Sequence, residues 1–277
     1  MTNLVAGATG TVGRQVVLEL LRLGQPVRAL TRDPGKADFP EGVEVVRGDL
    51  NDPDSLAGPL TGATGLHLIT FGDAYFSPLT TGPRILELAR EAGVRRITVL
   101  HGGGDTPLEQ AVREGAGAAG IAWTVAMPVE FMANALEWAE PVRTTGEVRE
   151  PFTGRLSAMV HEADIGAVIA AALTRDGHDG RSYLITGPQA LTVQDKVDLL
   201  GAARGRAIGL VELTPEQAEA RWRAAGHGQE VIDFLLGVYG DTPAEGRTPN
   251  DTVLKVTGRP PRTFARWAAE HAGAFTA

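Results

Sequence analysis

Cysteine does not occur among the 277 residues, so disulfides, thiolate metal sites and thiol nucleophiles are excluded. Lysine is scarce, at positions 36, 196 and 255 only, and tyrosine stands only at 75, 183 and 239. The formal net charge of -8 argues against a nucleic-acid partner or an anionic membrane surface, because a phosphate-tracking face needs clustered Lys and Arg. No apolar run approaches the roughly 20 residues that span a bilayer. The N-terminus enters a strand at once, without the stretch a signal peptide needs, so a soluble, cytoplasmic protein is expected. The six histidines are scattered and none begins a His-Glu-x-x-His motif, so no metal site is expected. Internal repeats and low-complexity tracts are also missing.

Glycine, in contrast, is abundant, and three glycines organise the chain. Leu4 to Ala6 is a short apolar run leading into Gly7, Gly10 and Gly13, after which Val16, Val17, Leu20 and Leu21 recur at helical spacing up to Gly24. Strand, tight turn and helix are implied. Such a turn aims unpaired backbone N–H groups and the positive end of a helix dipole at one point, and glycine lets a pyrophosphate approach the backbone. A dinucleotide cradle over Gly7, Thr9, Gly10, Thr11, Val12 and Gly13 is expected, spaced G-x-x-G-x-x-G.

Further strands are expected at 25–30, 43–50, 65–70, 96–100 and 122–128, alternating with helices. That alternation specifies a doubly wound parallel α/β sheet of the Rossmann type with right-handed crossovers. In this architecture the residue past the second strand lies over the adenosine ribose. Arg32 stands there and Lys36 follows, so NADP(H) is favoured over NAD(H), while Asp33 reads as a turn former before Pro34. Asp49, with Leu50 beside it, ends the third strand and is a candidate for the adenine edge; Asp52 reads as an N-cap. Beyond Pro128 the pattern loosens. A helix near 131–140, a turn or hairpin around Gly146, a short strand at 157–160, an alanine-rich helix from His161 to Leu173, a strand at 181–188 and a helix at 192–203 precede a largely helical remainder.

These motifs together resemble the NmrA-like branch of the atypical short-chain dehydrogenases/reductases. Gly-Ala-Thr-Gly-Thr-Val-Gly at 7–13, Thr-Arg-Asp-Pro at 31–34, Gly-Asp-Leu at 48–50, Trp-Thr-Val-Ala-Met-Pro-Val-Glu-Phe-Met-Ala-Asn at 123–134, Tyr-Leu-Ile-Thr-Gly-Pro at 183–188 and Phe-Ala-Arg-Trp-Ala-Ala-Glu-His at 264–271 fall in the family's order. The resemblance implies an NAD(P)-binding domain over residues 1–155 and a smaller, mostly helical substrate-capping region over 156–277, interleaved with the first. The family includes NAD(P)H-dependent reductases and non-catalytic cofactor sensors. Its parent superfamily uses a Tyr-x-x-x-Lys pair, which is absent here, since the fourth residue after each tyrosine is Leu79, Gly187 or Pro243.

A proton donor must therefore come from elsewhere if a carbonyl is reduced. The side chains past the fifth and fourth strands are His101, whose imidazole can carry and release a proton, and Tyr75; they are assigned as acid and substrate-orienting residue. Glu130 and Asp164 read as helix-start carboxylates. Met127, Phe131, Met132 and Trp138 suit either an apolar pocket or the core. The expected activity is hydride transfer from NADPH to a small, largely apolar carbonyl, enone or quinone-like molecule. A cofactor sensor and a non-redox biosynthetic enzyme stay open, as does the choice between monomer and homodimer.

Overall fold

The computed structural model describes residues 2–72 and 77–276. In chain order the elements are β1 (Thr2–Val5), α1 (Thr11–Arg22), β2 (Val27–Thr31), β3 (Val43–Arg47), α2 (Ala57–Leu60), β4 (Ala63–Ile69), α3 (Gly82–Glu91), β5 (Arg96–Leu100), α4 (Pro107–Gly115), β6 (Ala122–Pro128), α5 (Ala139–Thr144), β7 (Glu147–Pro151), α6 (Glu162–Thr174), β8 (Arg181–Ile185), α7 (Val193–Arg204), β9 (Gly209–Leu213), α8 (Pro215–Ala224), α9 (Gln229–Gly240), α10 (Ala244–Arg247), α11 (Thr252–Thr257) and α12 (Phe264–His271). Contacts divide the chain into two compact units, residues 1–128, 162–185 and 252–259 in the first and 129–161, 186–251 and 260–277 in the second. Residues 129–155, expected in the N-terminal half, thus pack in the second unit.

The first unit holds a seven-stranded sheet in the order β3-β2-β1-β4-β5-β6-β8, with every pair parallel. This is the doubly wound sheet expected from the alternation. Leu4, Val5, Leu66, Leu68, Val99 and Val125 are fully buried, as the central strands of a parallel sheet covered on both faces must be. Strand order reverses beside β1, and because all strands run the same way their carboxyl ends share one edge. Gly7, Arg32, Asp49, Thr70 and His101 all follow strands at that edge. Helix α6 packs on α1 and is buried nearly all round, from Ile165 to Leu173, which fits its alanine-rich composition.

Helix α4 starts at Pro107. Pro107 occupies the first turn, where its missing N–H costs nothing, and the Thr106 hydroxyl accepts from the Glu109 N–H. The helix stops at Gly115.

The second unit is built around a separate core of Met132, Trp138, Met159, Val197, Leu200, Phe264, Trp267 and Phe275. Trp267 is stacked between Phe264 and His271, with ring centroids 5.4 and 4.2 Å away. Two departures from the expected pattern lie here. The expected turn at Gly146 is present and leads into β7, but β7 pairs in parallel with β9, a strand inside the stretch read as largely helical. The helix expected near 131–140 is a 3-10 segment, Met132–Trp138, followed by the short α5. Residues 157–160 make only isolated bridges, to Leu191 and Phe131.

Candidate active site

The glycine stretch folds as a turn between β1 and α1. Gly7 has a φ of +61°, and a Cβ at Gly13 would lie 2.1 Å from the Gly7 carbonyl oxygen, so these two glycines let the helix close on the strand. Gly10 differs. It is the N-cap of α1, exposed, with an extended φ of -82°, and a Cβ there would meet only the Gly7 oxygen, at 3.2 Å. The helix start carries no side-chain cap and no acidic residue in its first turn. Its leading N–H groups are therefore uncapped by side chains, with Thr9 and Thr11 exposed beside them and Val12 buried beneath. The exposed Gly10 and the uncapped N–H groups suit a dinucleotide phosphate, which needs close approach to backbone N–H groups.

The exits of β2, β3 and β4 are tied together next to it. The Gly72 carbonyl accepts from Arg32 Nη1 at 3.2 Å and from Asn51 Nδ2 at 3.3 Å, and Asp49 Oδ1 accepts from the Asn51 N–H and Nδ2 at 2.9 and 3.2 Å. Arg32 and Asp49 are thus joined through Asn51 and Gly72. Lys36 sits 3.2 Å from Asp33, and both are exposed. Leu50 is 6% exposed, a core residue whose carbonyl accepts from Thr81. Asp52 stands at the start of a 3-10 turn but makes no side-chain cap. Arg14, on the first turn of α1, reaches the Asp38 carbonyl at 2.6 Å and lies over the Phe39 ring, adding a second arginine at the loop after β2. Neither Asn51 nor Arg14 is singled out by its sequence context.

His101 follows β5, its backbone N–H donating to Ala126 across to β6. Its Nδ1 lies 2.8 Å from Oε2 of Glu109, a side chain with no exposed surface, whose Oε1 accepts from Arg113 Nη2 and Nε at 2.7 and 3.0 Å. A loop residue satisfied by backbone would not have this carboxylate partner. Tyr75 lies outside the described residues.

Glu130 belongs to the second unit and lies 3.4 Å from Lys196, which is only 1% exposed. Burial pushes Glu130 up, but Lys196, Arg155 and the Ser157 hydroxyl outweigh it and hold the carboxyl below its usual range. Burial pulls Lys196 below its usual range against the opposing Glu130 charge. Beside them, Glu150 accepts from Trp138 Nε1 and Arg221 Nη2, both at 3.1 Å, and Arg155 covers the Tyr239 ring at 3.9 Å. Burial pushes the Tyr239 hydroxyl well up. Asp164 is buried in the first turn of α6. Met132 and Trp138 are core residues of the second unit, while Met127 packs against the core of the first. Among the described residues no group of three His, Asp or Glu side chains is placed to hold a metal ion, and no helix is long and apolar enough to cross a membrane.

Comparison with known proteins agrees with this geometry. Residues 7–176 match the family described as NAD(P)H-binding. An NAD(P)H azoreductase of Xenophilus azovorans is 35% identical, covering 99% of both chains. The (4-alkanoyl-5-oxo-2,5-dihydrofuran-3-yl)methyl phosphate reductase of Streptomyces griseus is 34% identical over 98% of both. Among solved structures, an Escherichia coli NADPH-dependent quinone oxidoreductase in complex with NADPH has a TM-score of 0.78 at 22% identity, covering 98% of this chain and 99% of that one. A Citrobacter triphenylmethane reductase complexed with NADP(H) has the same TM-score at 21% identity, covering 98% and 100%.

Proposed function

Because the chain belongs to the NAD(P)H-binding family, we propose that it is an NADP(H)-dependent oxidoreductase that reduces a small, largely apolar carbonyl, enone or quinone-like molecule. The observation that carries this reading is the uncapped, glycine-lined start of α1 on the same sheet edge as His101. Gly7 to Gly13 would hold the diphosphate, with Arg32 and Lys36 at the 2′-phosphate and Asp49 toward the adenine. Bound NADPH supplies hydride, the two electrons and one hydrogen of the reduction.

The protein's part is to hold the acceptor and to provide a proton. His101 takes the role that tyrosine fills in the parent superfamily, donating from its ring to the acceptor atom on which charge develops. Azo, furanone and quinone chemistry in the names of the relatives supports an acceptor with a polarised or electron-poor double bond.

The test is NADPH consumption over a panel of quinones, enones, aldehydes and azo compounds, with cofactor binding measured in parallel. Turnover with at least one class and a lower Kd for NADPH than for NADH are expected. Tight NADPH binding without turnover on any acceptor would replace this reading with that of a cofactor sensor.

A further inference from the structure

His101 and Glu109 sit on different elements, a strand exit and a helix, yet the carboxylate is fully enclosed and both of its oxygens are engaged. Arg113 is itself anchored, with Nη1 3.1 Å from the Ser182 hydroxyl on β8 and its guanidinium over the Trp123 ring on β6. The backbone beneath Glu109 is fixed by the Thr106 cap. An ion pair whose purpose was only to tie down the 101–106 loop would not need an imidazole at its end. It would also not need a glutamate held from behind by an arginine that is held in turn.

We infer that Glu109 is a positioning residue that fixes His101 as the proton donor of the site, with Arg113 holding the carboxylate in place. This inference rests on the reductase reading above. A carboxylate accepts hydrogen bonds, so Nδ1 is the nitrogen that carries its proton toward Glu109, and Nε2 is left as the nitrogen that meets an acceptor. The His101 side chain keeps 16% of its surface exposed, while that of Glu109 keeps none. In the reaction the Nε2–H bond breaks and an O–H or N–H bond forms at the heteroatom that has received the electron pair of the reduced double bond. The imidazolium becomes neutral imidazole, stays hydrogen-bonded to Glu109, and regains its proton from water. The arrangement suits acceptors whose reduction places charge on oxygen or nitrogen, such as quinones, carbonyls and azo groups.

Two readouts decide it. In the cofactor-free protein, histidine-selective 15N labelling should show, besides the Nδ1–H that His271 donates to the Trp267 carbonyl, a ring whose protonated Nδ1 carries the far-downfield proton of a charge-assisted hydrogen bond, assigned by its loss in His101→Gln. Glu109→Gln should abolish that resonance. With the best acceptor from the panel, Glu109→Gln should lower kcat roughly 10–100-fold, with KM and NADPH affinity within about twofold of wild type. In the His101→Gln background the same change should add nothing, because Glu109 acts through the ring. Should the glutamine variant fail to fold, Glu109→Asp keeps the charge beside Arg113 while retracting it from Nδ1, and the same loss of resonance and of kcat is expected. A wild-type spectrum without the protonated Nδ1, an unchanged kcat in either variant, or additive effects in the double variant would overturn the inference. Each of these leaves the reductase reading intact, whereas absence of turnover in the wild type overturns both.

Discussion

Each unit buries carboxylates against cations, but the two groups are finished differently. In the first unit Glu109 is closed off by Arg113 on one side and ends on His101, a ring that keeps access to solvent at the carboxyl edge of the sheet. In the second unit Glu130, Lys196, Arg155 and Glu150 satisfy one another, with Trp138, Tyr239 and Arg221 around them. One group terminates in a titratable nitrogen; the other pairs its charges with one another, with Arg155 Nε alone buried without a hydrogen-bond partner among these four side chains. On the function proposed above, the difference separates a site from a scaffold: both groups are buried and charge-paired, and only the first leaves a proton-carrying ring nitrogen for an acceptor.

The largest effect that sharpens this contrast is on stability. Lys196→Met leaves Glu130 without its nearest cation and should lower the unfolding free energy by about 3–5 kcal/mol, whereas Lys196→Met with Glu130→Leu should recover most of the loss. Urea titrations of both variants check this, and equal destabilisation by the single and double changes would refute the matched pair.

Next is cofactor choice at the first unit's edge. Arg32→Ala should weaken NADPH by about 1.5–3 kcal/mol, roughly tenfold to a hundredfold, and leave NADH nearly unchanged. Isothermal titration with both cofactors measures it; parallel losses would show that Arg32 only braces the Gly72 carbonyl.

The smallest effect concerns the sheet interior. His67 is fully buried, with Nδ1 2.9 Å from the Thr98 hydroxyl, and burial pushes it down to about 3. The unfolded chain takes up this proton near pH 6.5 and the folded chain does not, so His67 costs no stability above pH 6.5 and lowers it progressively below. At pH 5.5 the loss should be about 1.4 kcal/mol, one pH unit below the unfolded value. His67→Gln should remove that share of the pH dependence between 6.5 and 5.5, and an unaltered slope would contradict it.

Much of the first unit was legible in the sequence because its signals are local. The glycine spacing at 7, 10 and 13 encodes a close approach and a turn, and apolar strand runs alternating with helices dictate the parallel sheet. Arg32, Asp49 and His101 could be placed because a doubly wound sheet puts every strand exit on one edge. Glu109 could not. Thr106 and Glu109 have the spacing of a capping box, yet only half of it forms, and the carboxylate turns to a loop eight residues back, a choice made by tertiary packing. Lys196 was equally hidden, since a lysine on a helix flanked by Asp195 and Asp198 reads as solvent-facing until the fold buries it. The strand β9 was missed because Gly209 to Leu213 gains its partner, β7, from a segment about 60 residues earlier.

The central claim is that the edge around α1 and His101 is where cofactor and chemistry meet, and Gly10→Val tests it most directly. A Cβ at Gly10 meets only one backbone oxygen, at 3.2 Å, and the position is exposed at a negative φ, so the variant should fold with a Tm close to wild type. Fluorescence titration with NADPH should then show no saturable binding. A folded Gly10→Val protein that binds NADPH with wild-type affinity would place the cofactor elsewhere and contradict the account.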